Sequence, residues 1–138
     1  MNARGYQQYK EQSLNTMTPG ELLNLLLDEL VKRLLRAELA LENQDYPLFE
    51  ASVDRCVAIV QYLDDTLNMQ YEIARQLHRL YDFFCYDLNR IKIGRNLEEL
   101  GRIKPMFVDL RDAFRYAEKH ARDQQGAEGA EDEAHANR

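Results

Sequence analysis

Few side chains in this sequence could do chemistry, and they are spread out. The histidines are His78, His120 and His135, and the cysteines are Cys56 and Cys85. Nucleophilic catalysis needs a thiol or hydroxyl held beside a base, and a structural zinc site needs clustered cysteines and histidines. Neither spacing occurs. Asp28-Glu29 and Asp64-Asp65 are acidic pairs. A di-iron site inside a helical bundle would need paired Glu-x-x-His motifs projecting inward, and the chain has none. The acids are better read as a solvated face, or as partners for an arginine across a bundle. There is no glycine-rich phosphate loop and no Gly-x-Ser-x-Gly turn. His78 lies beside an apolar helical stripe and reads as a structural or surface residue. Cys56 and Cys85 are flanked by apolar residues and read as small buried hydrophobes. The expectation is a protein that is not an enzyme, with no metal and no cofactor.

The elements that carry these residues follow from composition and periodicity. The 138 residues suit one domain. Hydrophobic residues make up 45% and charged residues 30%, with only six glycines and three prolines. This balance favours helices over a turn-rich β fold. No window approaches a membrane span, and the start of the chain lacks the apolar run of a secretory signal. Cytoplasm is the expected location, with no membrane insertion. The net charge of -6 argues against nucleic-acid binding. Basic residues from Arg90 to Lys104 are diluted by acids and read as ordinary surface.

Four amphipathic segments follow a polar opening. Thr18, Pro19 and Glu21 form a capping box with proline in the first turn. The helix they start has a core face of Leu23, Leu27, Leu30, Leu34, Ala37 and Leu41. Asp45 and Pro47 open a second helix with the stripe Phe49, Val53, Cys56, Val60, Leu63 and Leu67. A third covers roughly residues 70–91, with Ile73, Leu77, Leu80, Tyr81, Phe84, Leu88 and Ile91. Gly94 is then available for a left-handed cap. Asn96 and Glu99 make another capping box. The last stripe is Leu100, Ile103, Phe107, Leu110, Phe114 and Ala117. Pro105 implies a kink or a later start near Gly101. The fold class predicted is all-α: an antiparallel four-helix bundle over residues 18–121. A flexible N-terminal arm (1–17) and a disordered acidic C-terminal tail (122–138) flank it.

The first helix carries more leucine than one face can bury. With Leu23 at zero degrees, Leu35, Leu39 and Leu25 fall at roughly 120, 160 and 200 degrees. Leu25, Leu35 and Leu39 are therefore candidate partner contacts, and Tyr6, Tyr9 and Leu14 are candidate anchors in the arm. The second face is either scattered surface leucine, which soluble proteins tolerate, or a surface covered by the arm itself, a second copy of the chain, or a foreign segment laid in a groove.

Several residues also resemble a known family. Paired tyrosines precede Thr16-x-Thr18-Pro19, Leu22 and a leucine-rich helix with Asp28. Then come Ala58-Ile59-Val60-Gln61-Tyr62-Leu63 with Thr66-Leu67, next Ala74, Leu77, Leu80 and Tyr81, and finally Leu110-Arg111 with Phe114. This order resembles the flagellar secretion chaperone family FliS over about residues 6–117. Leu27 and Glu29 stand where the family pattern has tyrosine and glycine. Gln76 replaces an asparagine, and residues 69–72 replace a Gly-Gly turn. The resemblance implies a cytoplasmic four-helix export chaperone that binds the C-terminal segment of flagellin. Such a chaperone blocks premature polymerisation and assists delivery to the flagellar type III export apparatus. It also implies an arm that covers part of the surface when the client is absent, and an export-gate component as a further partner. The competing expectation is a homodimeric regulatory or adaptor bundle that uses the same leucines.

Overall fold

The computed structural model describes residue 5 and residues 17–136. From residue 17 on, the described residues form four helices: α1 (Pro19–Glu42), α2 (Tyr46–Asp65), α3 (Glu72–Gly94) and α4 (Leu97–Ala136). Short connections make successive helices antiparallel. α1 packs along both α2 and α4, and α2 packs on α3. α3 and α4 approach more sparsely. Phe84 and Phe107 close that seam, with ring centroids 4.0 Å apart.

The helix starts follow local chemistry. Thr18 Oγ1 accepts from the Glu21 N–H at 3.2 Å, and Pro19 follows it. Asp45 accepts from the Leu48 N–H, and Asn96 from the Glu99 N–H. Each side chain satisfies one of the N–H groups that a helix start leaves without a partner. The Asn96 cap starts α4 at Leu97, not near Gly101, and the helix continues through Pro105. Pro105 and Gly101 both lie on the exposed face. The carbonyl that the missing proline N–H would have bonded is thus on the water side.

The left-handed residue after α3 is Arg95 (φ 46°), not Gly94. A non-glycine residue is disfavoured there. The Arg95 guanidinium stacks 3.6 Å from the centroid of the Tyr46 ring, a contact that offsets the backbone cost. Glycine would make no such contact.

The core holds Leu27, Leu30, Leu34, Phe49, Val53, Cys56, Val60, Phe84, Leu88, Ile91, Leu100, Ile103 and Phe107. Polar ties cross between helices at its edge. Lys104 reaches Glu38 at 3.0 Å, Lys92 reaches Asp54 at 2.8 Å, and Arg111 and Arg115 converge on Asp28. The basic residues at 92 and 104 are therefore occupied within the bundle, and Asp28 does hold arginines across it. Each such exposed pair contributes about 0–1 kcal/mol. α4 stays helical to Ala136, through the acidic stretch that begins at residue 122. Residues 121–124 are exposed, so this end of α4 leaves the bundle.

Candidate functional site

The four apolar stripes outrun the core at one end. At the start of α1, the end of α2, the start of α3 and the far part of α4, stripe residues lose their cover. Leu23, Leu67, Leu77, Leu110 and Phe114 are only partly buried, and Ile73 is 61% exposed. Leu23, Leu67, Leu77 and Phe114 line an apolar cleft of about 490 Å³. Thr18 and Pro19 lie on its rim, so the residues before Met17 lead directly to it. Leu22, Leu26 and Tyr62 belong both to this cleft and to a second of about 340 Å³ floored by Ala58 and Ile59, with Arg55 at its edge. The two clefts adjoin along the α1–α2 seam, where they share Leu22, Leu26 and Tyr62.

A separate cleft of about 370 Å³ lies at the other end of α1. Leu35, Arg36 and Leu39 meet Leu48 there across the α1–α2 turn. Of the candidates read from the sequence, Leu35 and Leu39 are therefore brought together, at 48% and 59% exposure. Leu25 is also exposed but lines none of these three clefts. Tyr6, Tyr9 and Leu14 lie outside the described residues. The sequence reading missed Leu22, Leu26, Tyr62 and Leu48. Leu22 and Leu26 are one turn apart on the shoulder of the core stripe, and that spacing was a usable signal. Only the packing of α1 on α2 showed that Tyr62 faces them.

The titratable groups do not assemble a catalytic set among the described residues. Cys56 is buried, and burial pushes its thiol up to about 12, so it carries no thiolate near neutrality. Cys85 is half-buried and is also raised, first by burial and then by the carboxylates of Asp64 and Asp82. Asp87 is the one buried acid among the described residues, 3% exposed at the α3–α4 seam. Burial raises its pKa, and the hydrogen bond that its protonated form donates to the Glu99 carboxylate raises it further. Its Oδ2 has no hydrogen-bond partner among the described residues. His78 Nδ1 sits 2.6 Å from Asp64 and Nε2 3.3 Å from Asp82. The hydrogen bond to Asp64 leads in holding the imidazole above its ordinary pKa. No thiol or hydroxyl is hydrogen-bonded to either histidine seen here. What the surface offers instead is apolar grooves suited to a helix or an extended segment.

Comparison with known proteins agrees with that kind of surface. The family model described as flagellar protein FliS matches residues 1–121. The chain belongs to the FliS family. It is also 30% identical over 125 residues to the flagellar secretion chaperone FliS of Bacillus subtilis (strain 168). That alignment covers 90% of this chain and 94% of the relative. The FliS match takes in α1, α2, α3 and the packed part of α4, and ends where α4 leaves the bundle. It also includes the residues before Met17 that lead to the larger cleft. Within the FliS resemblance, Thr16-x-Thr18-Pro19 has a physical role in this chain, because Thr18 and Pro19 begin α1 on the cleft's rim. No helix among the described residues is long and apolar enough to cross a membrane.

Proposed function

We propose that this chain is a cytoplasmic flagellar export chaperone. It binds the C-terminal segment of flagellin, prevents its premature polymerisation, and assists its delivery to the flagellar type III export apparatus. The observation that carries the reading is the pair of adjoining apolar clefts over the α1–α2 seam, in a member of the FliS family. A secreted subunit kept from assembling exposes an amphipathic segment. That segment can exchange self-association for contact with Leu22, Leu26, Tyr62 and the uncovered stripe ends. Ordering the segment on binding lowers the net affinity, which favours later release. Tyr6, Tyr9 and Leu14 act as arm anchors, and the arm covers part of the client surface when no client is bound. Leu25, Leu35 and Leu39 extend the client surface along α1, and an export-gate component takes the loaded complex.

Calorimetry of the full chain with the C-terminal segment of flagellin tests this. Tyr62→Asp places a charge in the groove at a half-exposed position, so the fold should persist. The affinity should fall at least about tenfold, since an unpaired buried charge costs well over 1.4 kcal/mol. Leu35→Asp with Leu39→Asp should weaken binding only if the client reaches the second cleft. Unchanged affinity in every variant, with circular dichroism showing intact helices, would refute the groove assignment. The cleft formed by Leu35, Leu39 and Leu48 supports a second reading, a homodimeric adaptor that buries this face. Light scattering that showed a constitutive dimer, broken by the Leu35 and Leu39 substitutions, would favour it.

A further inference from the structure

Beside the larger cleft, three polar side chains from two helices converge. His78 and Asp82 are one turn apart on α3 and share a face. Asp64 reaches them from the last turn of α2. One donor atom from each residue lies within 4.8 Å of the others. No reading of spacing along one helix finds this set, because its third member comes from the neighbouring helix.

The two contacts of the imidazole differ. Nδ1 lies 2.6 Å from Asp64 Oδ1, the length of a short charge-assisted hydrogen bond. This bond holds the proton on Nδ1 and fixes the plane of the ring, leaving Nε2 as the coordinating atom. Nε2 lies 3.3 Å from Asp82 Oδ2. That exceeds the roughly 2.7–2.9 Å of a charge-assisted hydrogen bond. It equals the edge of a coordination tetrahedron, since two ligands about 2.0–2.1 Å from a zinc ion lie roughly 3.3 Å apart. A carboxylate hydrogen-bonded to the far nitrogen of a ligating histidine is the arrangement that orients metal-binding imidazoles.

We propose that His78 Nε2 and Asp82 Oδ2 chelate a divalent transition-metal ion, with Asp64 as the carboxylate that orients the ring. An imidazole with a carboxylate suits zinc, whereas magnesium and calcium favour oxygen ligands alone. The Asp82 side chain is 67% exposed, so solvent has access to the remaining coordination positions. An ion bound there displaces any proton on Nε2 and releases it to solvent. Both ligands lie on α3 next to Leu77 and Tyr81, which line the cleft, and Asp64 ties the ring to α2. The inference does not depend on what occupies the groove.

Zinc chloride titrated into the full chain by calorimetry tests the site, at a mildly alkaline pH where imidazole is deprotonated. One ion should bind per chain. Asp82→Asn should weaken binding at least about tenfold by removing a ligand, and Asp64→Asn should cost about 10–100-fold by freeing the ring. Cobalt in place of zinc should give a spectrum without a thiolate charge-transfer band, which excludes Cys85 as a ligand. A His120→Ala, His135→Ala double variant should bind like the parent. Circular dichroism checks that each variant is folded, and Asp82→Ser replaces Asp82→Asn if that variant is not. The proposal is overturned by no saturable binding, by binding unchanged in the Asp82 variant, by a thiolate band, or by loss of binding in the His120/His135 variant.

Discussion

Asp87→Asn should stabilise this protein, although buried polar positions usually lose stability on substitution. Asp87 is buried at the α3–α4 seam beside the Glu99 carboxyl, and among the described residues no group donates to its Oδ2. Two ionised carboxylates in contact repel, so the folded state retains a proton that the unfolded chain has lost. An unfolded aspartate titrates near about 3.9. In the folded protein the value is raised, by burial first and by Glu99 second, while Arg90 and Arg102 pull the other way. Between those two values the native state binds more protons than the unfolded state, so stability falls as pH rises through that window. Asparagine cannot ionise, and its amide N–H can donate to the Glu99 carboxylate. A hydrogen bond to a charged group contributes about 1.5–3 kcal/mol, and one amide group left without a partner offsets about 1 kcal/mol of that. The net gain at neutral pH should be about 0.5–2 kcal/mol, or several degrees in melting temperature. Urea unfolding of parent and variant from about pH 4 to mildly alkaline pH reads both the gain and the lost slope. If the variant is less stable at neutral pH and keeps the parent's slope, Asp87 is ionised and held by Arg90 and Arg102, and the shared-proton account fails.

Other outcomes follow from the same structure. Phe107→Ala should cost about 3–5 kcal/mol in chemical denaturation, because it removes the ring that closes the α3–α4 seam on Phe84. A loss below about 1 kcal/mol would mean that the seam collapses around the gap. Thr18→Ala should cost about 1 kcal/mol by freeing the Glu21 N–H, read from circular-dichroism melts. In the native chain a thiol reagent should leave Cys56 unmodified and reach Cys85 slowly, with both reacting after denaturation. Rapid native modification of Cys56, located by mass spectrometry, would show that the core opens at α2.

Much of the fold was legible because each helix carries its own start signal and its own apolar period. Thr18, Asp45 and Asn96 cap helices through bonds three residues long, which need no tertiary partner. The stripes on α1 and α2 became core for the same reason: a face of three-four spacing has to bury itself somewhere. The exceptions have tertiary causes. Arg95, and not Gly94, takes the left-handed position because Tyr46, from another helix, provides a ring to stack on. Ile73 belongs to a clean stripe and yet is exposed, because no neighbouring helix covers it.

Local residue patterns sufficed to establish a helical bundle, where three of its helices begin, which faces are apolar, and that α1 has leucine to spare. All of these depend on residues within a few turns of each other. The sequence also carried enough of the FliS pattern, spread along the chain, to name the family. Tertiary structure alone decided which surplus residues share a surface. Leu22 and Leu26 form a groove only because α1 lies against Tyr62 of α2, whereas Leu25 on the same helix has no such partner. Likewise Asp64 reaches His78 across fourteen residues of chain, and Asp87 meets Glu99 across a helix seam. Angles along one helix cannot report these meetings, since each depends on how that helix is rotated against the next.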